Sequence, residues 1–548
     1  MRLTPAVRAL SLAAAFLAPG AASLRAQSDT WALTNARIQT VTKGVIDKGT
    51  ILIRKGLIEA VGPAVTIPAD ARVMDLAGKT VSPSLIDLTS ALGLAAPTTG
   101  GGGGGGQGGG TQQAQSGPRG VEPERDVARE LKVAPGDVKP IRDAGIGVVL
   151  VSPSRGLFRG MSALVPLRDS VGEADVIKPQ VAMHIGYQGV SGDYPGTLLG
   201  VIAYQRQALY DAQRQGVLLD RFRTAPRGIA RPEHDPGIDA LVPVVRGQKP
   251  AFIEASNENE IRRSVRLAKE FNLKATVVGA TEGFLALDAL AGRQAVVSVN
   301  YPQPTATTGW SYRLSQRRAL NDSAATASEV QKRLEGNAAA LNKAGIKFAL
   351  ATGGTRSSDF LGNVRKAIAA GLPAAVALEA LTIRPAEFAG VDQILGSIEA
   401  GKIANLVVSN GDLLADSARI STVFVDGIRY AVAPPPARPA GGGNAVAAAQ
   451  VAGTWTMTLT SPQGPLEITM TLAQSGSTFS GTMTSQMGSM EITGGEISGR
   501  IATWTTILQV GGQSITLNYR GEVDGNRMTG SAELGNFGSG TFTAEKKP

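Results

Sequence analysis

The sequence has no cysteine in its 548 residues and only two histidines, His184 and His234. Without cysteine the chain forms no disulfide bond, offers no thiolate to a metal and carries no lipid on a cysteine. Two histidines that lie 50 residues apart are too few for a metal centre built on several imidazoles. The basic residues are spread along the chain, and no basic cluster interleaved with aromatic residues indicates nucleic-acid binding.

The first residues have the pattern of an export signal. Arg2 and Arg8 precede a short apolar run, Ala9–Ala18, and small residues up to Ala26 suit a cleavage site just after that alanine. The alternative is a membrane anchor, but the run falls short of the ~20 residues needed to span a bilayer. The sequence therefore predicts a signal peptide over residues 1–26 and a bacterial protein that is exported to the periplasm or the medium, with no later membrane span.

Hydrophobic residues make up 43% of the chain, enough to bury a sizeable core. Its length predicts about three domains. Residues 31–82 are rich in short strand-like runs, and from about residue 85 to 389 apolar strands alternate with amphipathic helices, as in a parallel sheet covered by helices. The strand pattern returns over residues 404–432, and residues 451–548 hold about eight short alternating strands, typical of an antiparallel barrel or sandwich.

These patterns predict an α/β fold: a (β/α)8 barrel with a small β-sandwich built from both ends of that region, plus a C-terminal antiparallel β-barrel-like domain. In the C-terminal domain, Trp455 and Trp504 are either core residues or a binding platform. The predicted parts are a signal peptide at 1–26, a composite sandwich at 28–82 and 392–433, a barrel at 83–391 with a glycine-rich loop at 97–118, a linker at 434–450 and a β domain at 451–548.

Four segments together resemble the amidohydrolase superfamily, and most closely its imidazolonepropionase-like and prolidase-like members. They are GTILIRKGLIEAVGPAVTIPADARVMDLAGKTVSPSLIDL, SPSRGLFRGMSALVPL, IEASNENEIRRSVRLAKEFNLKATVVGATEGFLALDALA and GSIEAGKIANLVVSNGDLL, the last followed by VFVDGIRY. The resemblance covers about Trp31 to Val432. It implies metal-dependent hydrolysis of C–N bonds, in which a divalent metal such as zinc activates water and a carboxylate moves protons.

The family's metal ligands are an HxH pair after the first strand, one His after each of two later strands and an Asp after the last. The resemblance places different residues at all of these positions. They are Thr89 and Ala91 for the pair, Glu254 or Ser256 for the next ligand, Gly279 for the following one and Gly353 for the Asp. Alanine and glycine carry no ligand atom, so no metal cofactor and no catalytic residue at these positions are expected.

Three residues are candidates for lining a pocket: Asp87, His184 and Glu254. Asp87 and Glu254 are the carboxylates expected near the site, where Asp87 either braces the strand end or faces the pocket. His184 either lines the barrel mouth or has a structural role, and His234 lies in a polar stretch expected to be exposed.

The glycine-rich run lacks the Lys-Ser/Thr of a phosphate loop, and no GxSxG elbow indicates a serine hydrolase.

Three functions follow as hypotheses. The first is a non-catalytic amidohydrolase homologue that binds a ligand or pairs with an active homologue, alone or as a homo-oligomer. The second is a hydrolase that cleaves C–N bonds through a site built from other residues, for which carboxylates would converge near Glu254 and Asp87. The third is a binding module centred on the C-terminal β domain, for which an apolar cavity at Trp455 or Trp504 would be evidence.

Overall fold

The computed structural model describes residues 30–94, 120–188, 194–301, 327–434, 449–461, 464–486, 488–510, 513–533 and 539–547. The predicted signal peptide, the glycine-rich loop at 97–118 and residues 435–448 of the predicted linker lie outside the described residues. The chain divides into two compact units, Met1–Pro434 and Pro435–Pro548. No helix of the described part is both long enough and apolar enough to cross a membrane.

The first unit begins and ends in one mixed sheet. Its eight strands run in the order β17-β16-β15-β5-β1-β2-β3, with β4 beside β1. As predicted, strands from both ends of the unit combine, because β5 pairs with β15 in antiparallel register. The strands are β1 (Thr30–Gln39), β2 (Val45–Arg54), β3 (Leu57–Gly62), β4 (Arg72–Asp75), β5 (Thr80–Pro83), β15 (Leu406–Ser409), β16 (Ile420–Val425) and β17 (Ile428–Ala431).

Between these ends lie the strands of the α/β region. They form a three-stranded sheet, β6-β7-β9, and a six-stranded sheet, β14-β13-β12-β11-β10-β8. These strands are β6 (Leu85–Ser90), β7 (Ile146–Val151), β8 (Phe158–Met161), β9 (Ala163–Pro166), β10 (Met183–Ile185), β11 (Ala251–Ala255), β12 (Ala275–Gly279), β13 (Gln294–Ser298) and β14 (Lys347–Ala351).

The segment β8–β9 joins the two sheets. β8 pairs antiparallel with β10, and β9 pairs antiparallel with β7, whereas β6 and β7 are parallel and so are β10 to β14. The sequence predicts a ring of eight parallel strands; the described residues have two parallel strands in one sheet and five in the other, with the antiparallel strands β8 and β9 between β7 and β10 in the sequence. Strands such as β7 are buried along their whole length, as expected for a sheet with both faces covered.

Helices cover these strands. The helix after β11 begins at Asn257, whose side chain and Glu260 form a reciprocal capping box, and it buries Ile261, Val265 and Ala268 on one face. The helices are α1 (Pro135–Asp143), α2 (Leu198–Thr224), α3 (Pro236–Val245), α4 (Glu258–Glu270), α5 (Leu287–Leu290), α6 (Ala327–Glu335), α7 (Asn337–Lys343), α8 (Ser357–Ala369), α9 (Ala374–Leu381) and α10 (Ile383–Ala389).

The second unit is a closed antiparallel barrel of eight strands, as its alternating pattern predicts. Trp455 and Trp504 are buried in its core, and the Trp504 ring stacks on Tyr519 with centroids 5.2 Å apart. Both indoles thus belong to the packed interior. The strands are β18 (Gly453–Ser461), β19 (Gly464–Ser475), β20 (Thr478–Ser485), β21 (Gly488–Ser498), β22 (Ile501–Val510), β23 (Gln513–Asp524), β24 (Arg527–Glu533) and β25 (Ser539–Lys546).

Candidate functional site

A cavity of about 620 Å³ opens at the carboxyl ends of the parallel strands in the first unit. Side chains that follow different parallel strands meet at this edge, which is where α/β folds place their ligands. The cavity is lined by Leu88, Thr89, Ser90, Ala91, Ser152, Pro153, Ser154, Arg159, His184, Glu254, Ser256, Asn257, Val278, Gly279, Thr281, Glu282, Ser298, Asn300, Gly353 and Gly354.

The structure brings together nearly all of the residues singled out in the sequence. Seven of them line the cavity: Thr89, Ala91, His184, Glu254, Ser256, Gly279 and Gly353. Asp87 is not in the lining, because its carboxylate is buried behind Thr89. His234 is exposed, as predicted, and its Nδ1 contacts Asp239 at 2.6 Å.

Both oxygens of the Asp87 carboxylate accept hydrogen bonds. Its Oδ1 accepts hydrogen bonds from the backbone N–H of Thr89 (3.1 Å), the Thr89 hydroxyl (2.9 Å) and the backbone N–H of Thr352 (3.1 Å). Its Oδ2 accepts from the Thr352 hydroxyl at 2.6 Å. The Thr89 oxygen in turn accepts from the backbone N–H of Gly353 at 2.9 Å. Asp87 therefore braces the end of β6 against the end of β14.

Two of the positions that the resemblance assigns to metal ligands are glycines at which a side chain is unfavourable. Gly279 has φ +104°, and a Cβ there would lie 2.9 Å from Ser256 Oγ. Gly353 has φ +58°, and its Cβ would lie 2.3 Å from the Cβ of Ser298. Both backbone conformations disfavour residues with a side chain. A ligand side chain at Gly353 thus requires Ser298 to move, whereas at Gly279 the nearest atom belongs to a hydroxyl that can rotate.

The lining does not fit the divalent metal that the superfamily implies. Within the described residues, no three His, Cys, Asp or Glu side chains come together as a group that could hold a metal ion. The Thr89 hydroxyl, which stands at one ligand position, is already occupied by Asp87 and Gly353. A catalytic site for zinc needs about three such protein ligands around one point.

An ion pair crosses one side of the cavity. Arg159 contacts the carboxylate of Glu254 through Nη2, and it donates from Nε to the carbonyl of Gly156 (3.0 Å) and from Nη1 to that of Pro153 (3.3 Å). The Arg159 side chain is 4% exposed, whereas that of Glu254 is 46% exposed. The guanidinium is therefore fixed in the wall, and the carboxylate reaches into the cavity.

His184 brings a neutral imidazole to the cavity wall. It lies on β10 with its ring against Phe252, at 5.5 Å between centroids. Burial and the nearby positive charge of Arg159 lower the pKa of His184 to about 3, so the ring carries no charge at neutral pH. Among the described residues, its buried Nε2 has no hydrogen-bond partner.

Sequence reasoning missed a carboxylate and the arginine. Glu254 lines the cavity as expected and Asp87 braces the strand end, but the cavity also has Glu282, a carboxylate that the sequence analysis did not place there. Glu282 is buried and accepts a hydrogen bond from the backbone N–H of Glu258 at 3.0 Å. It lies three residues beyond Gly279 in the motif VVGATE. Arg159 reaches the cavity from β8, the antiparallel strand that the barrel pattern did not predict.

Comparisons with known proteins place similar sequences and folds beside the first unit. A model of the Amidohydrolase family matches residues 249–429. The crystal structure of an amidohydrolase from Thermotoga maritima MSB8 has a TM-score of 0.59 and 21% identity, and the match covers 73% of this chain and 98% of that chain. A search of curated proteins gave no match.

A Xaa-Pro dipeptidase with methionine bound in its active site is also similar over 73% of this chain and 100% of that chain, at 16% identity and a TM-score of 0.44. At that score the likeness carries no argument about this chain. The match to the Thermotoga amidohydrolase shows a shared fold. The first unit is therefore similar to the Amidohydrolase family over residues 249–429 and has an amidohydrolase-like fold.

Proposed function

We propose that this chain is a non-catalytic amidohydrolase homologue that binds a small polar ligand in the cavity at the carboxyl ends of its strands. The observation that carries the proposal is the state of the metal-ligand positions. Ala91, Gly279 and Gly353 have no ligand atom, and a side chain at Gly353 would overlap Ser298. Function depends on such a site and not on the fold that carries it.

The cavity itself favours ligand binding. Its size lies within the range of small-molecule sites, roughly 300–1,000 Å³. Hydroxyl and amide side chains surround the Arg159–Glu254 pair, so hydrogen-bond donors and acceptors converge on one space. We also propose that the mature protein is exported, as the first 26 residues predict, and that it acts as a homo-oligomer or as the partner of an active homologue.

A second candidate is a hydrolase that cleaves a C–N bond without the family's metal. Two carboxylates, Glu254 and Glu282, and the neutral imidazole of His184 line one cavity, and these groups are the usual agents of proton transfer. Glu254 is the more accessible carboxylate, because Glu282 is buried and already accepts a backbone hydrogen bond.

One experiment separates the ligand-binding proposal from the hydrolase. Metal content is measured on the purified mature protein, followed by hydrolysis of dipeptides and cyclic amides with and without added zinc or manganese. We expect no stoichiometric metal and no turnover, together with saturable binding of a small ligand that co-purifies or is found by screening.

Turnover that is lost in Glu254→Gln and kept in Glu233→Gln would overturn the binding proposal in favour of the hydrolase. Glu233 is the matched control because it is exposed and lies outside the cavity lining. One tightly bound metal ion per chain would also overturn the proposal and require another ligand set.

A further inference from the structure

A second, smaller cleft lies between α2 and α4 in the first unit. Its volume is about 230 Å³, and it shares no lining residue with the large cavity. The cleft is lined by Tyr187, Ile202, Gln205, Arg206, Arg263, Arg266, Leu267 and Glu270. Three guanidinium groups and one carboxylate therefore line this space.

The single carboxylate of the cleft is already neutralised. Glu270 accepts from Arg206 Nε at 2.8 Å and from the Tyr210 hydroxyl at 2.8 Å. These contacts leave Arg263 and Arg266 as the source of the positive charge. Neither arginine has an ion pair or a side-chain hydrogen bond with any of the described residues.

Arg263 and Arg266 line the same side of the cleft. They lie three residues apart on α4 and so share one face of the helix, where like charges destabilise it. The Cζ atom of Arg263 lies 5.4 Å from the centroid of the Tyr187 ring, and the Tyr187 hydroxyl contacts Ser264 Oγ at 3.0 Å. A guanidinium that stacks on a ring keeps its N–H groups free to donate in the plane. An anion between the two arginines would relieve their repulsion.

The wall of the cleft also holds an acceptor. Gln205 is fully buried, and its Nε2 donates to the carbonyl of Gly186 at 2.7 Å. Its Oε1 is buried and accepts no hydrogen bond from the described residues. A buried acceptor without a donor is unfavourable, so a ligand that brings a donor is preferred. Phosphate at neutral pH keeps an O–H, whereas sulfate has none.

We propose that this cleft binds inorganic phosphate, with Arg263 and Arg266 donating to its oxygens and Gln205 Oε1 accepting its O–H. The site is independent of the proposed function, since the large cavity contributes no residue to it. A phosphate monoester is mainly a dianion without an O–H at neutral pH, so the Gln205 acceptor favours the free ion.

Equilibrium dialysis of the full chain with radiolabelled phosphate, at constant ionic strength, tests the assignment. We expect saturable binding that sulfate displaces only weakly. Arg266→Gln should weaken binding about tenfold or more, because one charge-assisted contact is lost. Arg263→Gln should act in the same direction, and Arg266→Lys should recover part of the affinity.

Arg214→Gln is the matched control, because Arg214 lies exposed on α2 outside the lining and its loss removes the same charge. It should leave binding unchanged, and circular dichroism should show that each variant is folded. The proposal is overturned if phosphate does not saturate, if the double variant of Arg263 and Arg266 binds as the native chain does, or if sulfate binds equally well. Tighter binding of glycerol phosphate than of phosphate would overturn the assignment to the free ion.

Discussion

Thr352 donates two hydrogen bonds to Asp87, although the two residues lie 265 positions apart in the sequence. One comes from the backbone N–H and one from the hydroxyl, at 3.1 and 2.6 Å. Because Asp87 lies outside the cavity lining, its carboxylate serves to hold β6 and β14 together and not to bind a ligand in the cavity.

Removal of the Thr352 hydroxyl should destabilise the first unit. Thr352→Val keeps the shape of the side chain but leaves Asp87 Oδ2 without its donor in a buried place, which is unfavourable by about 1–3 kcal/mol. Chemical denaturation measures the loss. Thr355→Val is the control, because the buried Thr355 hydroxyl has no partner among the described residues. An equal effect of both substitutions would show that the bond to Asp87 contributes nothing specific.

A side chain at Gly353 should be unfavourable for two separable reasons. Gly353→Ala meets Ser298 at 2.3 Å and also forces alanine into a left-handed conformation, whereas Gly354→Ala, at φ +87°, meets only Asn300 Nδ2 at 3.9 Å. We expect Gly354→Ala to lose roughly 1–2 kcal/mol of unfolding free energy from backbone strain, and Gly353→Ala to lose more.

The double variant Gly353→Ala/Ser298→Gly isolates the steric part. Since Ser298→Gly removes the clashing atoms, the double variant should be more stable than the sum of the two single effects. Strict additivity in this cycle would contradict the crowding argument. The same crowding means that Gly353→Asp alone should not restore zinc binding, which metal analysis can check.

The imidazole of His184 should stay neutral far below the usual pH of histidine titration. Burial, followed by the charge of Arg159, lowers its pKa from 6.5 to about 3. NMR of the ring nitrogens in untagged protein should show no protonation of His184 between pH 8 and pH 4. The chain has only two histidines, so the missing signal in His184→Gln identifies the resonance.

The lowered pKa of His184 also determines how the stability of the protein changes with pH. Below pH 6.5 the unfolded chain binds a proton at His184, and the folded chain does not bind it until about pH 3. The native protein should therefore lose stability as the pH falls from 6.5 towards 3, and His184→Gln should lose less over that interval. A pH dependence identical in both proteins would contradict the neutral, buried ring.

Glu399 should contribute to stability at neutral pH. Its pKa is lowered to about 2, first by a hydrogen bond from Ser397, then by Lys43 and Thr42, and also by the charge of Lys402. A carboxylate with a lowered pKa stabilises the folded state above its ordinary value, 4.5, and this contribution is lost as the pH falls towards 2.

Glu399→Gln should therefore lower the thermal unfolding midpoint at pH 7, and its difference from the native protein should shrink steadily between pH 4.5 and pH 2. Glu233→Gln, at an exposed residue, is the control with the same charge change. A difference that does not depend on pH would mean that Glu399 acts through packing and not through its charge.

The position of the candidate site could be predicted from sequence because of strand geometry. Residues after parallel strands meet at one edge, so Thr89, Glu254, Gly279 and Gly353 gather as the resemblance implies. Arg159 could not be placed in this way. It lies on β8, whose antiparallel pairing with β10 depends on long-range contacts that a local apolar pattern does not encode.

Helices were predicted best where local signals were strong. The segment 257–273 predicts a helix and forms α4, because a capping box and an apolar stripe agree. The segment 327–345 predicts one helix but forms α6 and α7, separated at Gly336, where glycine weakens the helix. The 27-residue helix α2 was not predicted, since few of its residues are buried and its apolar face is weak.

The pairing of β5 with β15 has a consequence for synthesis of the chain. The strands that are made first, β1 to β5, obtain their neighbours β15 to β17 only after some 300 further residues have been added. Until then β5 presents an open strand edge, and such edges favour pairing with other chains. A nascent or truncated chain that ends before residue 406 should therefore depend on chaperones, and premature termination should produce aggregates instead of a smaller folded domain.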